Sequence, residues 1–472
     1  MLLLLFAASL KVPEGFTVSL VAGHETANDI HCMTVVPDGR IVVAGRGYVR
    51  LLGADGKKLL DFAGAPKDGA MGLFWEKGDL YCVGDGGLKV WRDAEKGHAK
   101  PPAVLFKCKT GGEHTAHAVQ RGPDGWMYLL VGDGTGITAK DITGPLSPVK
   151  EPVAGCVLRF SPDWKQCECY GHGFRNAYGM DFGCDGELYT FDSDNERCVG
   201  LPWYEGCRFY RVQCGGFHGW LGPKLASTWR MPPHFPDVVP PVKDLGRGSP
   251  TGVTCYRHAQ FPEKYRGGFF LCDWTFGRIL FLERPSEWRG VTTSFLDPKT
   301  FAKATGEEGF APVASCVDPT TGDLLIAIGG RGTRGAVYRI RYAAGFGKAD
   351  AKEVAKLQPQ PRTLDWDPKL AERMLGWSDD RRLQQEYALR HIGKLTPEQK
   401  RKAYRNGATM FGILRPLASR VLAALPEKER KELVTKDPGE WELGTEHLAF
   451  PSWESSRVVA RARVNADVRL DA

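Results

Sequence analysis

Two short segments of the chain carry the side chains that could do chemistry. The first, GGEHTAHAVQRGPDGWMYLLVGD, spans residues 111–133, and in it His114 and His117 come directly before an apolar run. An imidazole titrates near neutral pH, so a histidine that points into a cleft can act as a general base. A single histidine is more often structural, and the segment by itself leaves both interpretations open.

The second segment, YGHGFRNAYGMDFGCDGELYTFDSDNE, spans residues 170–196. Arg175 and Asn176 lie in its Gly-rich turn and offer a fork of N–H donors and an amide. Such donors suit an anionic or quinone-like oxygen. An arginine that ties the loop to backbone carbonyls is an equally good interpretation of Arg175 in isolation.

An acidic patch follows the second segment's apolar run. Asp192, Asp194 and Glu196 alternate along the chain, and oxygen ligands brought together at a turn favour a hard cation such as calcium. The patch lacks the glycine and the distal glutamate of an EF-hand loop. Taken alone, it is also typical of a solvated turn.

A repeated pattern indicates how these segments are positioned. A turn with Gly or Asp, an apolar strand, a second turn and another strand recur six times, in copies that begin at Asp38, Lys77, Asp124, Asp185, Arg266 and Thr321. Short runs rich in Val, Ile, Leu, Tyr and Phe between such turns predict antiparallel strands. Radial repetition of such a meander closes a propeller. The sequence therefore predicts an all-β, six-bladed β-propeller, with the two chemical segments on blades three and four.

The pattern also predicts the domain boundaries. The propeller spans residues 11–344, and a Lys- and Ala-rich linker covers residues 345–364. Residues 365–436 have helical spacing, with TPEQ and PEKE as helix starts, and predict a small α-helical appendage. Residues 437–472 have no clear pattern.

Charge and hydropathy exclude some partners. The net charge of +7 comes from 63 basic and 56 acidic residues spread along the chain, with no basic run flanked by aromatics, so nucleic acid is not an expected partner. Residues 1–10 are apolar but too short to span a bilayer. A short secretory signal, which predicts an exported, periplasmic or envelope-associated protein, fits this segment; an apolar first strand of a cytosolic protein is the alternative. No other segment predicts a transmembrane helix.

The 13 cysteines give no sign of a bound haem. None forms the C-x-x-C-H of covalent haem attachment or the paired C-x-x-C of a zinc site. Several lie inside strand-like runs, where a thiol behaves as a small buried hydrophobe. We therefore expect no haem in this chain.

The order of the motifs resembles a known family. His114 is followed eight residues later by GPDG-x-x-Y-x-x-x-GD, and further on by G-F-R-N-x-x-G-x-x-F-x-x-D-G-E-L. This arrangement resembles the glucose/sorbosone dehydrogenase family, over roughly Lys11 to Tyr342. DSDNE, GGFHGW, SPTG and DWTFGRI are more similar still to the membrane-bound dehydrogenase-type proteins of planctomycete and verrucomicrobial bacteria.

The resemblance implies an oxidoreductase that oxidises the hydroxyl of a sugar or polyol. It implies pyrroloquinoline quinone and calcium as cofactors, His114 as general base, and Arg175 and Asn176 as contacts of the quinone and its developing oxyanion. Because no haem is encoded, an external acceptor such as a cytochrome would take the electrons. The acidic residues Asp192, Asp194 and Glu196 are the candidate calcium ligands.

The chain also departs from the family pattern. Thr275 stands where the family has a lysine, Ala311 and Val313 stand where it has two arginines, and Tyr178 replaces its glutamine. Arg331 and Arg334, in GGRGTRG, are candidate replacements for the lost cations, so the predicted cofactor-binding residues are Arg175, Asn176, Tyr178, Arg331 and Arg334. Two alternatives stay open: a non-catalytic propeller that binds carbohydrate or protein, and a calcium-dependent, lactonase-like hydrolase.

Overall fold

The structure is a computed structural model. It describes residues 10–96, 100–196, 204–222, 230, 238–284, 297–306, 309–361, 365–369, 386–387, 390–400 and 426–428. Within these residues the strands form six antiparallel sheets, five of four strands and one of five. The predicted six-bladed β-propeller is confirmed.

The strands are numbered in chain order. β1 (Leu10–Lys11) and β2 (Phe16–Ala22) precede the first blade. Blade one contains β3 (Cys32–Val35), β4 (Ile41–Gly45), β5 (Tyr48–Leu52) and β6 (Lys58–Asp61), and blade two contains β7 (Gly72–Glu76), β8 (Asp79–Val83), β9 (Gly87–Trp91) and β10 (Ala103–Lys107). Blade three contains β11 (Ala116–Arg121), β12 (Met127–Val131), β13 (Gly155–Phe160) and β14 (Cys167–Phe174), and blade four contains β15 (Met180–Phe182), β16 (Leu188–Asp192), β17 (Cys207–Arg211) and β18 (Lys243–Gly246). Blade five contains β19 (Pro250–Cys255), β20 (Phe269–Asp273), β21 (Arg278–Leu282) and β22 (Lys299–Ala304), and blade six contains β23 (Pro312–Val317), β24 (Leu324–Ile328) and β25 (Ala336–Tyr342).

The first strand of each blade lines the central channel. β3, β7, β11, β15, β19 and β23 contact one another in that order around the ring. The second strands are buried on both faces; in β12, for example, all five residues of MYLLV are buried. This explains why the repeats contain continuous apolar runs rather than strictly alternating ones.

The same hydrogen-bonded turn recurs between the first and second strands of blades three and four. In blade three, Asp124 accepts hydrogen bonds from the Trp126 amide at 3.2 Å and the Tyr128 hydroxyl at 2.7 Å. Gly125 has φ +77°, a conformation that glycine adopts without strain. Blade four repeats the arrangement with an Asp185–Tyr189 contact of 2.8 Å. The D-G-x-x-Y repeat in the sequence is therefore a turn whose aspartate is held by a tyrosine of the following strand.

The ring is closed by its two chain ends. β2 pairs antiparallel with β25, with Phe16 opposite Tyr342, and supplies the fourth strand of blade six. The Phe16 ring packs edge-on against Phe261 and Phe301, with centroids 4.8 and 5.2 Å apart. The N-terminal strand thus joins blade six to blade five through an aromatic cluster.

Helices are few. α1 (Ala351–Lys356) lies within the segment predicted as a linker and is capped by the Asp350 side chain, which accepts a hydrogen bond from the Lys352 amide at 2.9 Å. Short 3-10 turns occupy Ala94–Lys96, Ala139–Asp141, Glu263–Tyr265, Ala343–Gly345 and Ile392–Lys394. Among the helices of the described residues, none is long and apolar enough to cross a membrane.

The predicted appendage, residues 365–436, lies largely outside the described residues, as do the predicted tail and residues 1–9. Its described part docks on blade three. Arg390 Nη2 lies 2.8 Å from Glu168 Oε2, Glu386 pairs with the fully buried Arg159, and Leu395 is buried in the core cluster that holds Tyr128. This part of the appendage is therefore packed against the propeller.

Candidate active site

The candidate residues lie at one mouth of the channel. His114 comes two residues before β11, and Asn176 comes four residues before β15, so both stand where a first strand begins. Asp133 follows β12 and Asp192 ends β16. Because the first two strands of a blade are antiparallel, the end of the second strand meets the start of the first. The propeller thus brings the predicted segments of blades three and four to the same mouth.

His114 is held by a carboxylate. Its Nδ1 lies 2.7 Å from Asp133 Oδ1, and the other oxygen of Asp133 accepts a hydrogen bond from Trp220 Nε1 at 2.7 Å. The Asp133 side chain is 7% exposed and that of His114 is 28% exposed. The backbone is fixed as well, because Gly134 N donates to His114 O and Asp133 N donates to Arg175 O. The histidine is therefore oriented by a buried carboxylate while its ring stays accessible.

This pair has the chemistry of a general base. An ionised carboxylate only accepts hydrogen bonds, so Nδ1 of His114 carries the proton. Nε2 is then left with a lone pair that can take a proton, and Asp133 stabilises the imidazolium that forms. Asp133 belongs to the sequence motif of this segment, but the sequence alone did not indicate a role for it.

His117 has a different role. It is fully buried, and its Nε2 lies 3.0 Å from Oδ1 of Asn176. Burial lowers the pKa of His117 to about 4, so the ring is neutral near pH 7. Of the two histidines in the segment, His114 is therefore the accessible one, and His117 is the buried one that contacts Asn176.

The turn that carries Arg175 and Asn176 is held by one buried aspartate. Asp192 accepts hydrogen bonds from the backbone amides of Arg175 at 3.0 Å and Asn176 at 2.8 Å. It also accepts one from Arg230 Nη2 at 2.7 Å, and both partners of that ion pair are buried. The lone pairs of Asp192 are thus used within the protein.

Arg175 itself extends along the mouth. Its Nη1 donates to Ser193 Oγ at 2.8 Å, and its Nη2 lies 3.9 Å from a carboxylate oxygen of Glu196. The guanidinium carbon lies 5.8 Å from the centroid of the Trp220 ring. Since Trp220 also donates to Asp133, a single tryptophan links Arg175 to the His114–Asp133 pair.

The three predicted calcium ligands lie in different settings. Asp192 is occupied by amides and Arg230, Asp194 accepts a hydrogen bond from Tyr204 at 2.8 Å, and the Glu196 side chain is 70% exposed. Burial raises the pKa of Asp194, which opposes its charged form. No group of three His, Cys, Asp or Glu side chains among the described residues could hold a metal ion. The structure therefore does not bring Asp192, Asp194 and Glu196 together as a calcium site.

Tyr178 points into the channel. Its hydroxyl donates to His31 O at 3.3 Å, and its ring centroid lies 4.4 Å from that of His117. It lines a channel cavity of about 510 Å³, together with Met71 and the first strands of the other blades. Burial raises the pKa of Tyr178. This residue thus reaches from blade four to blade one beneath the mouth.

The loop between β24 and β25 brings arginines to the same mouth. Arg331 is exposed, forms an ion pair with Glu113 next to His114, and lies 5.3 Å from the centroid of the Trp274 ring. Arg334 is exposed in the same loop. Blade six therefore places at least one cation beside the segment that carries His114.

Sequence reasoning did not assign Asp133, Trp220 or Arg230. Asp133 and Trp220 were visible, since they end the motifs VGD and GGFHGW. Their contact joins residues 87 positions apart, and Arg230 is 38 positions from Asp192, in a stretch without a motif. Only the folded arrangement identifies these three partners.

Searches against known proteins give matches to solved structures alone: no family model and no curated protein matches the sequence. A glucose dehydrogenase structure matches with a TM-score of 0.52 at 15% identity, covering 68% of this chain and 99% of that one. The holo form of the pyranose dehydrogenase PQQ domain from Coprinopsis cinerea matches with a TM-score of 0.51 at 14% identity, covering 71% and 97%.

A third solved structure matches over a similar share of both chains. The apo form of the soluble aldose sugar dehydrogenase from Escherichia coli has a TM-score of 0.50 at 14% identity, and the match covers 69% of this chain and 99% of that one. At such identities the likeness concerns the fold. The chain therefore shares the six-bladed propeller fold of these sugar dehydrogenases over about two thirds of its length.

Proposed function

We propose that this protein is an oxidoreductase that oxidises the hydroxyl of a sugar or polyol, with His114 as general base and pyrroloquinoline quinone as cofactor. The observation that carries the proposal is the 2.7 Å contact between His114 Nδ1 and Asp133 Oδ1 at the channel mouth. A carboxylate-oriented imidazole is suited to removing a hydroxyl proton. The shared fold with sugar dehydrogenases is consistent with this chemistry but does not assign it.

Each residue at the mouth has a separate role in the proposed reaction. His114 Nε2 takes the hydroxyl proton of the substrate, and Asp133 keeps the ring oriented while the charge on the imidazolium develops. Trp220 holds Asp133 from the other side. Because Asp133 is nearly buried, the carboxylate acts in a medium of low dielectric, where its attraction to the imidazolium is strengthened.

The donors at the mouth fit an anionic planar quinone. Arg175 and Asn176 supply a guanidinium and an amide, and Arg331 and Arg334 stand exposed on blade six. Arg247, in the connection between β18 of blade four and β19 of blade five, adds an exposed guanidinium. These residues would hold the carboxylates and quinone oxygens by charge-assisted hydrogen bonds. When bound, pyrroloquinoline quinone supplies an electrophilic carbonyl carbon that accepts hydride from the substrate carbon.

Three positions weaken this fit relative to the family pattern. Val313 is buried in β23, Ala311 directly precedes that strand, and Thr275 is exposed in the turn after β20; none carries a charge. The cationic side therefore depends on Arg247 and on the arginines of blade six. We propose that the protein is exported. We also propose that it passes the electrons from this reaction to an external cytochrome.

The test is reconstitution of the full-length protein with pyrroloquinoline quinone in buffer that contains calcium. Quinone binding is followed by titration, and activity by sugar-dependent reduction of an artificial dye. We expect His114→Ala to abolish dye reduction and keep quinone binding. His24→Ala, which removes an exposed histidine that pairs with Glu25, is the matched control and should change neither.

Two outcomes would overturn the proposal. If the folded protein does not bind the quinone, the non-catalytic binding propeller becomes the better interpretation. If His114→Ala reduces the dye as fast as the unmodified protein, the assignment of the base is wrong.

A further inference from the structure

We propose that Cys184 and Cys255 form a reactive thiol pair that a low-molecular-weight disulfide oxidises to an intramolecular disulfide. The pair lies at the channel end opposite His114, because Cys184 follows the end of β15 and Cys255 is the last residue of β19. The resulting bond would link blade four to blade five. This site is separate from the proposed dehydrogenase site.

The two sulfurs converge on Gly267, which lies two residues before β20 begins. Cys255 Sγ lies 3.7 Å from Gly267 O. Cys184 Sγ lies 3.3 Å from the point where a Cβ on Gly267 would stand, and Cys184 packs on the core cluster that contains Cys255. The absence of a side chain at Gly267 leaves room for both thiols.

Two guanidinium groups surround the pair. Arg284 Nη1 lies 3.4 Å from the same Cβ position on Gly267, so it shares the site with the Cys184 sulfur. Arg257 is two residues from Cys255 and is anchored by Asp181 Oδ1 at 3.0 Å. Positive charge favours the thiolate, which is the nucleophilic form of cysteine. Cys184 is partly exposed while Cys255 is buried, so Cys184 is the attacking thiol and Cys255 the resolving one.

The acidity of Cys184 agrees with this geometry. The hydrogen bond from Cys255, together with the nearby Arg257 and Arg284, lowers the pKa of Cys184. Burial instead raises the pKa of Cys316, another partly exposed cysteine, to about 12. Cys316 therefore serves as an internal comparison, because it is also partly exposed but burial dominates its pKa.

The proposed step balances in atoms and electrons. The Cys184 thiolate attacks one sulfur of the small disulfide, an S–S bond forms, and one small thiolate leaves. Cys255 loses its proton to solvent and attacks the Cys184 sulfur, so that the Cys184–Cys255 bond forms and the second small thiolate leaves. Two protein thiols are oxidised by two electrons, and the small disulfide is reduced to two thiols.

The test uses oxidised glutathione as the probe and the full-length protein. After incubation, free thiols are alkylated and the protein is digested with trypsin. We expect a cross-linked product of the peptides 176–197 and 248–257, each of which contains one cysteine. The product should disappear on reduction and in Cys184→Ser. A product that joins Cys184 to another cysteine, or no cross-link at all, would overturn the pairing.

A second measurement tests the reactivity of Cys184 without requiring the disulfide. Under native conditions we expect iodoacetamide to modify Cys184 about tenfold or more faster than Cys316, because a larger fraction of Cys184 is thiolate. Arg284→Gln should slow the modification of Cys184 and leave the rate at Cys316 unchanged. Equal rates at the two cysteines in the unmodified protein would contradict the proposed role of the arginines.

Discussion

The Nε2 atom of His117 lies 3.0 Å from Oδ1 of Asn176, so a buried histidine of blade three fixes an amide of blade four. The amide oxygen of Asn176 takes part in this contact as an acceptor, so its NH₂ group is the donor that it can offer to a ligand. The contact also explains why two histidines three residues apart have different roles. His117 is buried and contacts its neighbour, whereas the His114 side chain is partly exposed at the channel mouth.

The first prediction concerns Asp133. In Asp133→Asn, the side chain no longer carries the charge that stabilises a protonated His114. We expect kcat for sugar-dependent dye reduction to fall by about 10² or more, with little change in quinone affinity. Asp163→Asn, at an exposed turn of blade three, is the control. A kcat for Asp133→Asn equal to that of the control would show that the dyad is not used.

The second prediction concerns the pH dependence of stability. Burial lowers the pKa of His117 and His218 to about 4 and that of His172 to about 3. Between these values and pH 6.5 the unfolded chain binds protons that the folded chain does not. The free energy of unfolding therefore falls as pH falls from about 6.5 toward 4, by at most about 1.4 kcal/mol per pH unit for each histidine.

Urea unfolding at pH 7, 6 and 5 measures this slope. His218→Gln should make the slope shallower, whatever its effect on stability at pH 7. His24→Gln, at an exposed site, should leave the slope unchanged. If the free energy of unfolding of His218→Gln changes with pH as steeply as that of the unmodified protein, His218 is not kept neutral by burial.

The third prediction concerns the ion pair beneath Arg175. Arg230→Met leaves the Asp192 carboxylate buried without its cation, and we expect a loss of about 3–5 kcal/mol in the free energy of unfolding. The double variant with Asp192→Asn should lose less than the sum of the two single variants. Arg40→Met removes a surface pair and should cost less than about 1 kcal/mol. Additive losses in the double variant would show that the two side chains do not interact.

The fourth prediction concerns the docked part of the appendage. Arg159 is fully buried and bonds Glu168 Oε2 through Nη2 at 2.6 Å as well as Glu386. Glu386→Ala removes one of its anions, and we expect unfolding to require about 2–4 kcal/mol less. Glu398→Ala, at an exposed position, is the control. Chemical denaturation of both variants gives the comparison, and equal midpoints would mean that Glu386 does not anchor the segment.

The blades could be predicted because their signal is local. Each copy carries its own turn, such as the one in which Asp124 binds Tyr128 four residues later, and six such copies define six sheets. Ring closure could not be predicted in the same way. The pairing of Phe16 with Tyr342 depends on the whole ring being formed, and no short pattern encodes it.

The candidate site, like the fold, could be predicted from the sequence only in part. His114, Arg175 and Asn176 stood out because their residue types are chemically suggestive and their order resembled a family. The acidic patch of DSDNE suggested a cation from spacing alone, yet Asp192 turns inward to bind two amides. Spacing along a chain does not reveal which backbone amides a carboxylate will satisfy, and those amides decide the role of Asp192.

The closure of blade six by β2 has a consequence for synthesis of the chain. β2 is made early, whereas its partner β25 ends at Tyr342, so the nascent chain carries an unpaired strand until nearly all the propeller has been translated. Contacts this distant in sequence slow folding, and an open strand edge is prone to pair with other chains. Slow translation or a shortage of chaperones should therefore harm the yield of this protein more than that of a fold built from local contacts.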